Sequence, residues 1–358
     1  MGGRLRVDLA ALQSNYQAYR QIDDEREVGA VVKADAYGLG VLEVARALAG
    51  VGCRTYFVAT AEEGAHLRRE LVEADIFVFE GVAPDTLDLL VAHRLTPVIN
   101  DALQLSHWHP HRHLPVAVHV DTGMSRLGFP VDLNAADFAD FSISLLMSHF
   151  ACADEIDVAQ NRHQIQRFQQ VAAQFPGVRT SFGNSAAWLQ GDAFRGDVGR
   201  SGIGLYGGRP IGGDTSTLPQ AVVRAANPDV VARFEAQVIQ LRDVAAGESI
   251  GYGASFVADR SMRVAVLGCG YADGIPRSLS NRGALAYAGD LCPIVGRVSM
   301  DLTAVDVSDC PGTPRPGDWF QCFGDEITIE QAAEWAETIS YELLTGIRPR
   351  VSRQYHWG

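Results

Sequence analysis

Residues 31–40 read VVKADAYGLG, and this stretch decides how the rest of the chain is interpreted. A short apolar run leads to one lysine, Lys33, and two glycines follow before a helical pattern over residues 41–49. The lysine therefore stands where a buried strand gives way to a turn. Such a lysine can extend its charge to solvent, or it can form a Schiff base with a carbonyl compound if burial lowers its pKa. The ten residues alone leave both interpretations open.

The composition is typical of a soluble globular protein, with 358 residues, 47% hydrophobic, 20% charged and a formal net charge of −13. This length allows two domains with a large core. The acidic balance argues against nucleic acid and anionic membranes as partners. We see no secretory leader, no apolar run long enough to span a bilayer, and no C-x-x-C pair among six cysteines. We therefore expect a cytoplasmic protein without a structural metal.

Strand-like and helix-like segments alternate through the first 200 residues. Eight strands are predicted, at residues 28–34, 55–59, 75–80, 96–99, 115–121, 142–149, 179–183 and 196–200. Eight strand–helix units in this length predict a closed (β/α)8 barrel of the TIM type, with reactive groups at the carboxyl ends of the strands. The polar residues at or just after such ends are Lys33, Asp121, His149, Asn184 and Arg200.

The character of the chain changes after the eighth strand. Residues 208–229 are rich in Gly, Pro, Asp and Ala, which is typical of a connector. From about residue 230, short apolar runs separated by turn signals predict a mostly β second domain. We therefore expect a barrel domain at 1–228 and a mostly β domain at 229–358.

Two segments after the last two barrel strands are suited to holding a phosphate. Asn184 and Ser185 open a helical pattern, and residues 199–204 read GRSGIG. In barrels, hydroxyl and backbone N–H groups at helix starts after strands seven and eight bind phosphate. A Schiff-base lysine and a phosphate cradle in one barrel mouth indicate pyridoxal 5′-phosphate (PLP). Each piece alone also fits an N-cap and a glycine-rich turn.

Eight motifs in sequence then carry a family resemblance. They are AVVKADAYG (30–38), VDTGMSRLGF (120–129), SHFACADE (148–155), GNSAA (183–187), RSGIGLYG (200–207), GYGASF (251–256), GYADGIPR (270–277) and GRVSMD (296–301). From about Leu5 to Arg353 the chain resembles the PLP-dependent alanine racemases of fold type III. The resemblance implies an isomerase that racemises L- and D-alanine as a head-to-tail homodimer, either in D-alanine biosynthesis for peptidoglycan or in alanine breakdown.

The resemblance also implies roles for the matching residues. Lys33 would hold PLP and act as the base on one face of the substrate α-carbon, and Tyr252 of the partner subunit would act on the other face. The other cofactor-binding residues would be Tyr37, His149, Asn184, Ser185, Arg200, Gly202 and Ile203. The substrate carboxylate would be bound by Arg126 and the backbone N–H of Met300. An access corridor would be lined by Tyr271, Arg277, Arg297 and Asp154, with Asp301 in a supporting role.

Some positions depart from the family pattern. His119 stands where many members carry a lysine, sometimes carbamylated, that supports the arginine matching Arg126. Here His119 or a bound anion would orient that arginine, or the support is missing. Ser181 replaces a common histidine. Pro349 occupies the place of a gate tyrosine, which Tyr355 could replace. A missing gate would widen the pocket, so we expect racemisation of serine or larger amino acids beside alanine.

Competing interpretations remain at this stage. Four histidines at positions 107, 109, 111 and 113 would suit a metal site, but the intervening Trp108, Pro110 and Arg112 favour a solvated loop. A broader-specificity amino-acid racemase is one alternative function. A basic amino-acid decarboxylase has a similar barrel and β domain, but the GYG and VSMD segments favour the racemase. A PLP-carrier barrel without catalysis would lack the second domain.

Overall fold

A computed structural model describes residues 2–155 and 158–357 of the chain. The chain folds into two compact units. The barrel unit consists of Leu12–Ala36 and Val41–Asp229. The β unit consists of Met1–Ala11, Tyr37–Gly40 and Val230–Gly358. These units differ from the predicted division at residues 228 and 229 because two N-terminal segments pack in the β unit.

The barrel unit is built on eight parallel strands. The chain begins with strand β1 (Gly3–Asp8), which belongs to the β unit, and helix α1 (Leu9–Arg20). The barrel strands are β2 (Glu27–Val31), β3 (Thr55–Val58), β4 (Asp75–Val78), β5 (Thr96–Ile99), β6 (Pro115–His119), β7 (Ser142–Met147), β8 (Thr180–Ser181) and β9 (Val198–Ser201). They pair in the order β8-β7-β6-β5-β4-β3-β2-β9, and a bridge between Asn184 and Arg200 joins the two ends. The nearly closed barrel confirms the predicted fold class.

Continuous apolar runs in the sequence explain why these segments form buried strands. The sequence TYFV of β3 and TPVI of β5 are buried throughout, as expected for parallel strands covered on both faces. Helices follow the strands, namely α2 (Val41–Gly50), α3 (Ala61–Arg68), α4 (Leu87–Ala92), α5 (Ala102–Trp108), α6 (Ala159–Ala172), α7 (Ser185–Leu189) and α8 (Gln220–Ala226). Side-chain N-caps start three of them, with Thr60, Asp101 and Asn184 each accepting a backbone hydrogen bond from inside the helix. The last helix, α8, lies within the segment that we predicted as a connector.

The β unit has one main sheet and two helices. Its further strands are β10 (Ala232–Val244), β11 (Ser249–Ile250), β12 (Phe256–Val257), β13 (Met262–Leu267), β14 (Ala284–Tyr287), β15 (Asp290–Pro293), β16 (Thr303–Asp306), β17 (Trp319–Phe323) and β18 (Ser352–His356). The helices are α9 (Ile329–Ala336) and α10 (Ser340–Thr345). The sheet runs β15-β14-β17-β10-β1-β18, and β13 joins β10 to β16. This confirms the predicted mostly β character.

Strand β1 was not predicted, and neither was β18. The sequence GRLRVD of β1 alternates buried and partly exposed residues, but only two of its apolar side chains are large. Strand β1 pairs antiparallel with β10 and parallel with β18, so tertiary pairing rather than local sequence decides both strands. In the part of the chain that the structure describes, no helix combines the length and the apolar character needed to cross a membrane.

Candidate active site

Lys33 follows strand β2 and begins a left-handed turn. The φ angles of Ala34, Asp35, Ala36 and Tyr37 are 54°, 55°, 52° and 58°. An L-residue in this conformation costs about 1–2 kcal/mol, so four in succession cost roughly 4–8 kcal/mol. Such strain persists only where surrounding contacts hold it, and it concentrates at functional sites. The strained turn therefore indicates a functional site at the end of β2.

The Lys33 side chain reaches solvent at the carboxyl-terminal edge of the barrel, and its Nζ lies 5.8 Å from the centroid of the Phe79 ring. The surrounding barrel wall lowers the pKa of this amine by removing water from it, and the positive charge of Arg126 lowers the pKa further. The carboxylate of Glu63 acts in the opposite direction. A lysine whose pKa is lowered in this way has a larger neutral fraction, which can act as a nucleophile or a base.

Arg200 is a buried cation inside the last barrel strand. Its guanidinium donates hydrogen bonds to the carbonyl and the hydroxyl oxygen of Ser181, both at 2.8 Å, and to the carbonyl of Ser148 at 2.7 Å. It also donates to Nδ1 of His149 at 3.0 Å. Burial and the nearby charge of Arg126 lower the pKa of Arg200 to about 9, so the guanidinium still carries its charge at neutral pH. The neutral carbonyl, hydroxyl and imidazole groups that accept its hydrogen bonds stabilise that charge.

The hydrogen bond from Arg200 fixes the state of His149. A guanidinium has only donors, so Nδ1 of His149 must accept, and the ring proton of the neutral imidazole lies on Nε2. Burial and the charge of Arg200 hold the pKa of His149 well below its ordinary value. His149 is therefore a neutral donor at its Nε2–H.

His119 is buried on strand β6 and is also neutral. Its Nδ1 lies 2.8 Å from the side-chain oxygen of Asn100, whose amide nitrogen donates to the carbonyls of Phe79 and Val98. The Asn100 oxygen can only accept, so the His119 proton lies on Nδ1. Burial, together with the charges of Arg200 and Arg126, lowers the pKa of His119 to about 4.

Arg126 is held at the end of a turn that Asp121 organises. One oxygen of the Asp121 carboxylate accepts three backbone hydrogen bonds of 2.9–3.1 Å from residues 123–125. Burial alone would raise the pKa of Asp121, but these N–H groups lower it. Arg126 itself is exposed, and among residues 2–155 and 158–357 it has no hydrogen-bond or ion-pair partner. An unpaired cation near Lys33 is suited to bind an anionic group.

The two predicted phosphate-binding pieces lie side by side. Asn184 caps helix α7 by accepting from the N–H of Ala187 at 2.9 Å. The next residue, Ser185, accepts a hydrogen bond from the N–H of Gly202 at 2.7 Å. Ile203 begins the short 3-10 turn Ile203–Tyr206 and is buried. The structure therefore brings together the segments after β8 and β9.

The β unit carries Tyr252 on an exposed turn. The Tyr252 side chain is 71% exposed, and both flanking glycines have φ values near 72°, which favour glycine. The Arg297 guanidinium lies against Gly253, since a Cβ there would stand 3.0 Å from its nitrogen. Met300 is 54% exposed, and no residue that the structure describes accepts a hydrogen bond from its N–H. Tyr252 and Met300 are therefore exposed residues of the β unit.

Arg350 joins two segments of the β unit that carry predicted site residues. Its guanidinium donates to both oxygens of Asp273 at 2.7 and 2.8 Å and to Asp301 at 2.7 Å. Asp273 lies in the segment 270–277 and Asp301 in the segment 296–301. Two backbone hydrogen bonds of 3.0 and 2.9 Å also join these segments. The two carboxylates raise the pKa of Arg350 still further.

The predicted residues divide between the two units. Those of the barrel unit are Lys33, Arg126, His149, Asp154, Asn184, Ser185, Arg200, Gly202 and Ile203. Those of the β unit are Tyr37, Tyr252, Tyr271, Arg277, Arg297, Met300 and Asp301. Within the barrel unit the structure brings together Lys33, Arg126, His149 and Arg200 through charge or hydrogen bonding. Of the predicted corridor, Asp154 is exposed on the barrel unit, and the other three residues belong to the β unit.

Comparison with family models covers both units. The model "Alanine racemase, N-terminal domain" matches residues 7–210, and the model "Alanine racemase, C-terminal domain" matches residues 231–355. The chain belongs to the alanine racemase family.

Individual members of the alanine racemase family match along nearly the whole chain. A catabolic alanine racemase of Rhizobium johnstonii is 42% identical over 366 residues, covering 99% of this chain and 94% of that protein. A biosynthetic alanine racemase of Agrobacterium fabrum is 40% identical over 375 residues, with 98% and 93% coverage. The crystal structure of the Bartonella henselae alanine racemase with covalently bound pyridoxal phosphate superposes with a TM-score of 0.92 at 34% identity, covering 99% of this chain and 100% of that one.

Ser181 and Tyr355, two residues named where the chain departs from the expected family pattern, have partners here. Ser181, which accepts from Arg200, donates through its hydroxyl to the carbonyl of Val198 at 2.7 Å. The Tyr355 hydroxyl donates to the carbonyl of Leu39 at 2.9 Å. The buried ring of Tyr37 lies 5.9 Å from that of Tyr341, centroid to centroid. Burial raises the pKa of the Tyr37 phenol, so Tyr37 is a neutral donor.

Sequence reasoning missed several residues that support the site. Asn100 and Ser148 each directly follow a barrel strand, so their position at the barrel edge was available as a signal. Glu63 and Arg350 gave no comparable signal, because the contacts of Glu63 with Ala34 and of Arg350 with Asp273 join residues 29 and 77 positions apart. The four histidines lie in and after helix α5, and the described residues contain no group of His, Cys, Asp and Glu that could hold a metal ion.

Proposed function

We propose that this chain is a PLP-dependent isomerase that interconverts L- and D-alanine, using Lys33 and Tyr252 of the partner subunit as two opposing bases. One observation carries the proposal. In a chain that matches alanine racemases over nearly its whole length, a lysine with a lowered pKa stands at the barrel edge near the charge of Arg126. A lysine of this kind suits both covalent attachment of a carbonyl cofactor and proton transfer.

The chemistry of the barrel-edge residues fits PLP. Arg126 and Arg200 are cations that can complement an electron-rich, anionic ring system. The Ser185 hydroxyl oxygen accepts the N–H of Gly202 at 2.7 Å. These two residues, with the N–H of Ile203 and the phenol of Tyr37, would hold the phosphate. Arg200 would face the pyridine nitrogen, and Asn184 and His149 would line the cofactor. When bound, PLP supplies the delocalisation that makes the substrate α-proton acidic.

The residues of the chain would then handle the substrate and its proton. Arg126 and the N–H of Met300 of the partner subunit would bind the carboxylate and so fix the orientation of the α-carbon. Lys33 would take or return the α-proton on one face through its neutral amine. Tyr252 of the partner subunit would do so on the other face. The Nε2–H of His149 can donate to the oxygen of that phenol and so stabilise it when it has given up its proton.

This scheme requires a head-to-tail homodimer. Tyr252 and Met300 are both more than half exposed, which suits residues that complete a site on another copy of the chain. Tyr271, Arg277 and Arg297 of the partner subunit, with Asp154, would line the access corridor, and Asp301 would support it. The two arginines would attract the carboxylate of a zwitterionic amino acid.

Two alternative functions, a broader-specificity racemase and a decarboxylase, would give different results in assays of racemisation and CO2 release. A broader-specificity racemase differs only in the width of its pocket. A decarboxylase would release CO2, and the relatives reported above are named as alanine racemases. Because these relatives carry both catabolic and biosynthetic names, both roles, including supply of D-alanine for peptidoglycan in the cytoplasm, are consistent with the family.

The test uses the purified protein and L-alanine. We expect a yellow protein that abolishes the optical activity of L-alanine without releasing CO2. Borohydride treatment should fix the cofactor to Lys33, as identified by peptide mass spectrometry, and Lys33→Ala should lose both the label and the activity. Lys33 is the only lysine of the chain, so no other side-chain amine could hold the cofactor in this way. Release of CO2, or full racemase activity in Lys33→Ala, would contradict the proposal.

A further inference from the structure

The left-handed turn after Lys33 needs anchors outside itself, and the barrel unit supplies them. The Ala36 N–H donates to the carbonyl of Val32 at 2.9 Å. At the far side of the turn, the Asp35 carboxylate accepts from the N–H of Val41 at 2.7 Å. The remaining anchor acts on Ala34, the residue that directly follows the lysine.

That anchor is the carboxylate of Glu63, in the first turn of helix α3. One of its oxygens accepts the N–H of Ala34 at 2.7 Å, and the other accepts the N–H of Ala59 at 2.7 Å. Ala59 directly follows strand β3, which pairs with β2. The carboxylate therefore ties together the ends of two neighbouring strands. The N–H of Glu63 donates in turn to the Thr60 hydroxyl at 3.3 Å, so the bridging residue is itself fixed.

Glu63 also places a negative charge near the lysine. Burial and Arg126 lower the pKa of Lys33, and Glu63 raises it. The two charges that act on the amine thus come from Arg126, which disfavours the ammonium form, and from Glu63, which favours it. Two backbone hydrogen bonds hold the Glu63 carboxylate in place near the lysine. Its effect on the pKa of Lys33 is therefore built into the fold.

We infer that Glu63 is a positioning residue for the reaction, one that fixes the Lys33 amine at the barrel edge by clamping the backbone of Ala34 to that of Ala59. The inference rests on the proposed role of Lys33 as a base and names a residue that acts through it. A glutamine at position 63 has a single acceptor oxygen, so one of the two N–H groups would face an amide NH2 without a partner. The variant would also remove the charge.

The experiment compares Glu63→Gln with Glu62→Gln, an exposed neighbour that loses the same charge. Glu62 interacts with Thr60, but among the described residues it makes no hydrogen bond to Ala34 or Ala59. In Glu63→Gln we expect kcat for racemisation to fall about 10- to 100-fold, because small displacements of a reacting group have effects of this size. The control should stay within twofold of the unaltered protein. Equal kcat in the two variants would overturn the inference.

Two readouts separate positioning from loss of structure. Exchange of the α-proton with deuterium should slow more from D-alanine than from L-alanine, since Lys33 serves the D enantiomer if Tyr252 serves the L enantiomer. The pH limb of kcat that reflects the Lys33 base should move to lower pH, because removal of a nearby negative charge lowers the pKa of an ammonium group. Equal slowing from both enantiomers together with an unmoved limb would overturn the inference.

A second variant covers the case in which Glu63→Gln does not fold. Glu63→Asp keeps the charge but shortens the reach by one methylene group, so it should lower kcat without moving the pH limb. A kcat equal to that of the unaltered protein would overturn the role of Glu63. Failure of the proposed function itself looks different, since the unaltered protein would then not racemise alanine at all.

Discussion

Arg200 donates a hydrogen bond to Nδ1 of His149 across 3.0 Å. A permanent donor on one ring nitrogen leaves the other as the only place for the proton, so the Nε2–H of His149 is always available to donate. The same contact opposes protonation of the ring. Arg200 therefore sets the tautomer of the residue that we propose to activate Tyr252 of the partner subunit, and burial together with Arg200 keeps that residue neutral.

This state of His149 predicts a pH profile. Because its pKa lies well below the ordinary value, His149 stays neutral across the range in which free histidines titrate. His149→Gln keeps an N–H donor but removes the titrating ring, so we expect kcat to fall about tenfold with the shape of the kcat–pH profile unchanged. Disappearance of an acid limb in the variant would show that His149 titrates during turnover.

His119 predicts a loss of stability in acid. Its folded pKa of about 4 lies below the ordinary value of about 6.5, so the unfolded chain binds the extra proton between these values. This contribution to stability is complete above about pH 6.5 and is lost as the pH falls towards 4. At pH 5 the loss is about 2 kcal/mol.

The matched variant for this effect is His119→Gln, which has no titrating group at that position. Urea unfolding at pH 7 and pH 5 should show the unaltered protein losing about 2 kcal/mol more than His119→Gln between the two conditions. Parallel losses in the two proteins would mean that His119 is protonated in the folded state.

Arg350 predicts a defect in substrate binding rather than in proton transfer. Arg350→Gln removes two of the hydrogen bonds that the buried Asp273 carboxylate accepts. It also removes the contact with Asp301, the residue next to Met300. We expect KM for alanine to rise about tenfold with kcat changed less than threefold, and the free energy of unfolding to fall by about 1–2 kcal/mol. Arg282→Gln, which breaks the exposed pair with Glu337, is the control and should change neither. A larger fall in kcat than rise in KM would contradict the prediction.

Tyr252 predicts an asymmetry between enantiomers. Tyr252→Phe removes the phenol but keeps the ring, so α-proton exchange should slow far more from L-alanine than from D-alanine. The measurement is deuterium incorporation from heavy water, starting from each enantiomer in turn. Equal slowing from both would end the two-base scheme and leave the family assignment intact.

Pro349 predicts a wider choice of substrate. From the resemblance to the family we expect it at a position where some members carry a gate tyrosine, and the Tyr355 hydroxyl donates to the carbonyl of Leu39. We expect serine to be racemised measurably, as judged by kcat/KM for serine relative to alanine. Discrimination against serine stronger than about 10³-fold would refute a widened pocket, because steric exclusion of one small hydroxyl group is modest.

The barrel strands were predictable from sequence, whereas the contacts between residues far apart in the chain were not. All eight barrel strands were predicted because apolar runs bounded by turns are local signals. The pairing of β1 with β18 is not local, since Arg4 lies opposite Ser352. Likewise Lys33 was recognisable at the end of a strand, whereas the contact of Arg350 with Asp273 joins residues 77 positions apart. The left-handed turn after Lys33 also escaped prediction, because alanines give no sign of positive φ.

Strand β1 lies between β10 and β18, so both of its pairings are with segments that come after the barrel strands in the chain. The barrel strands β2–β9 are all synthesised in between. A nascent chain that stops before Ser352 leaves one side of β1 with an open row of backbone donors and acceptors. Completion of the β unit therefore waits for the synthesis of β18, and removing β18 should leave an unpaired edge on β1 that can pair with other chains.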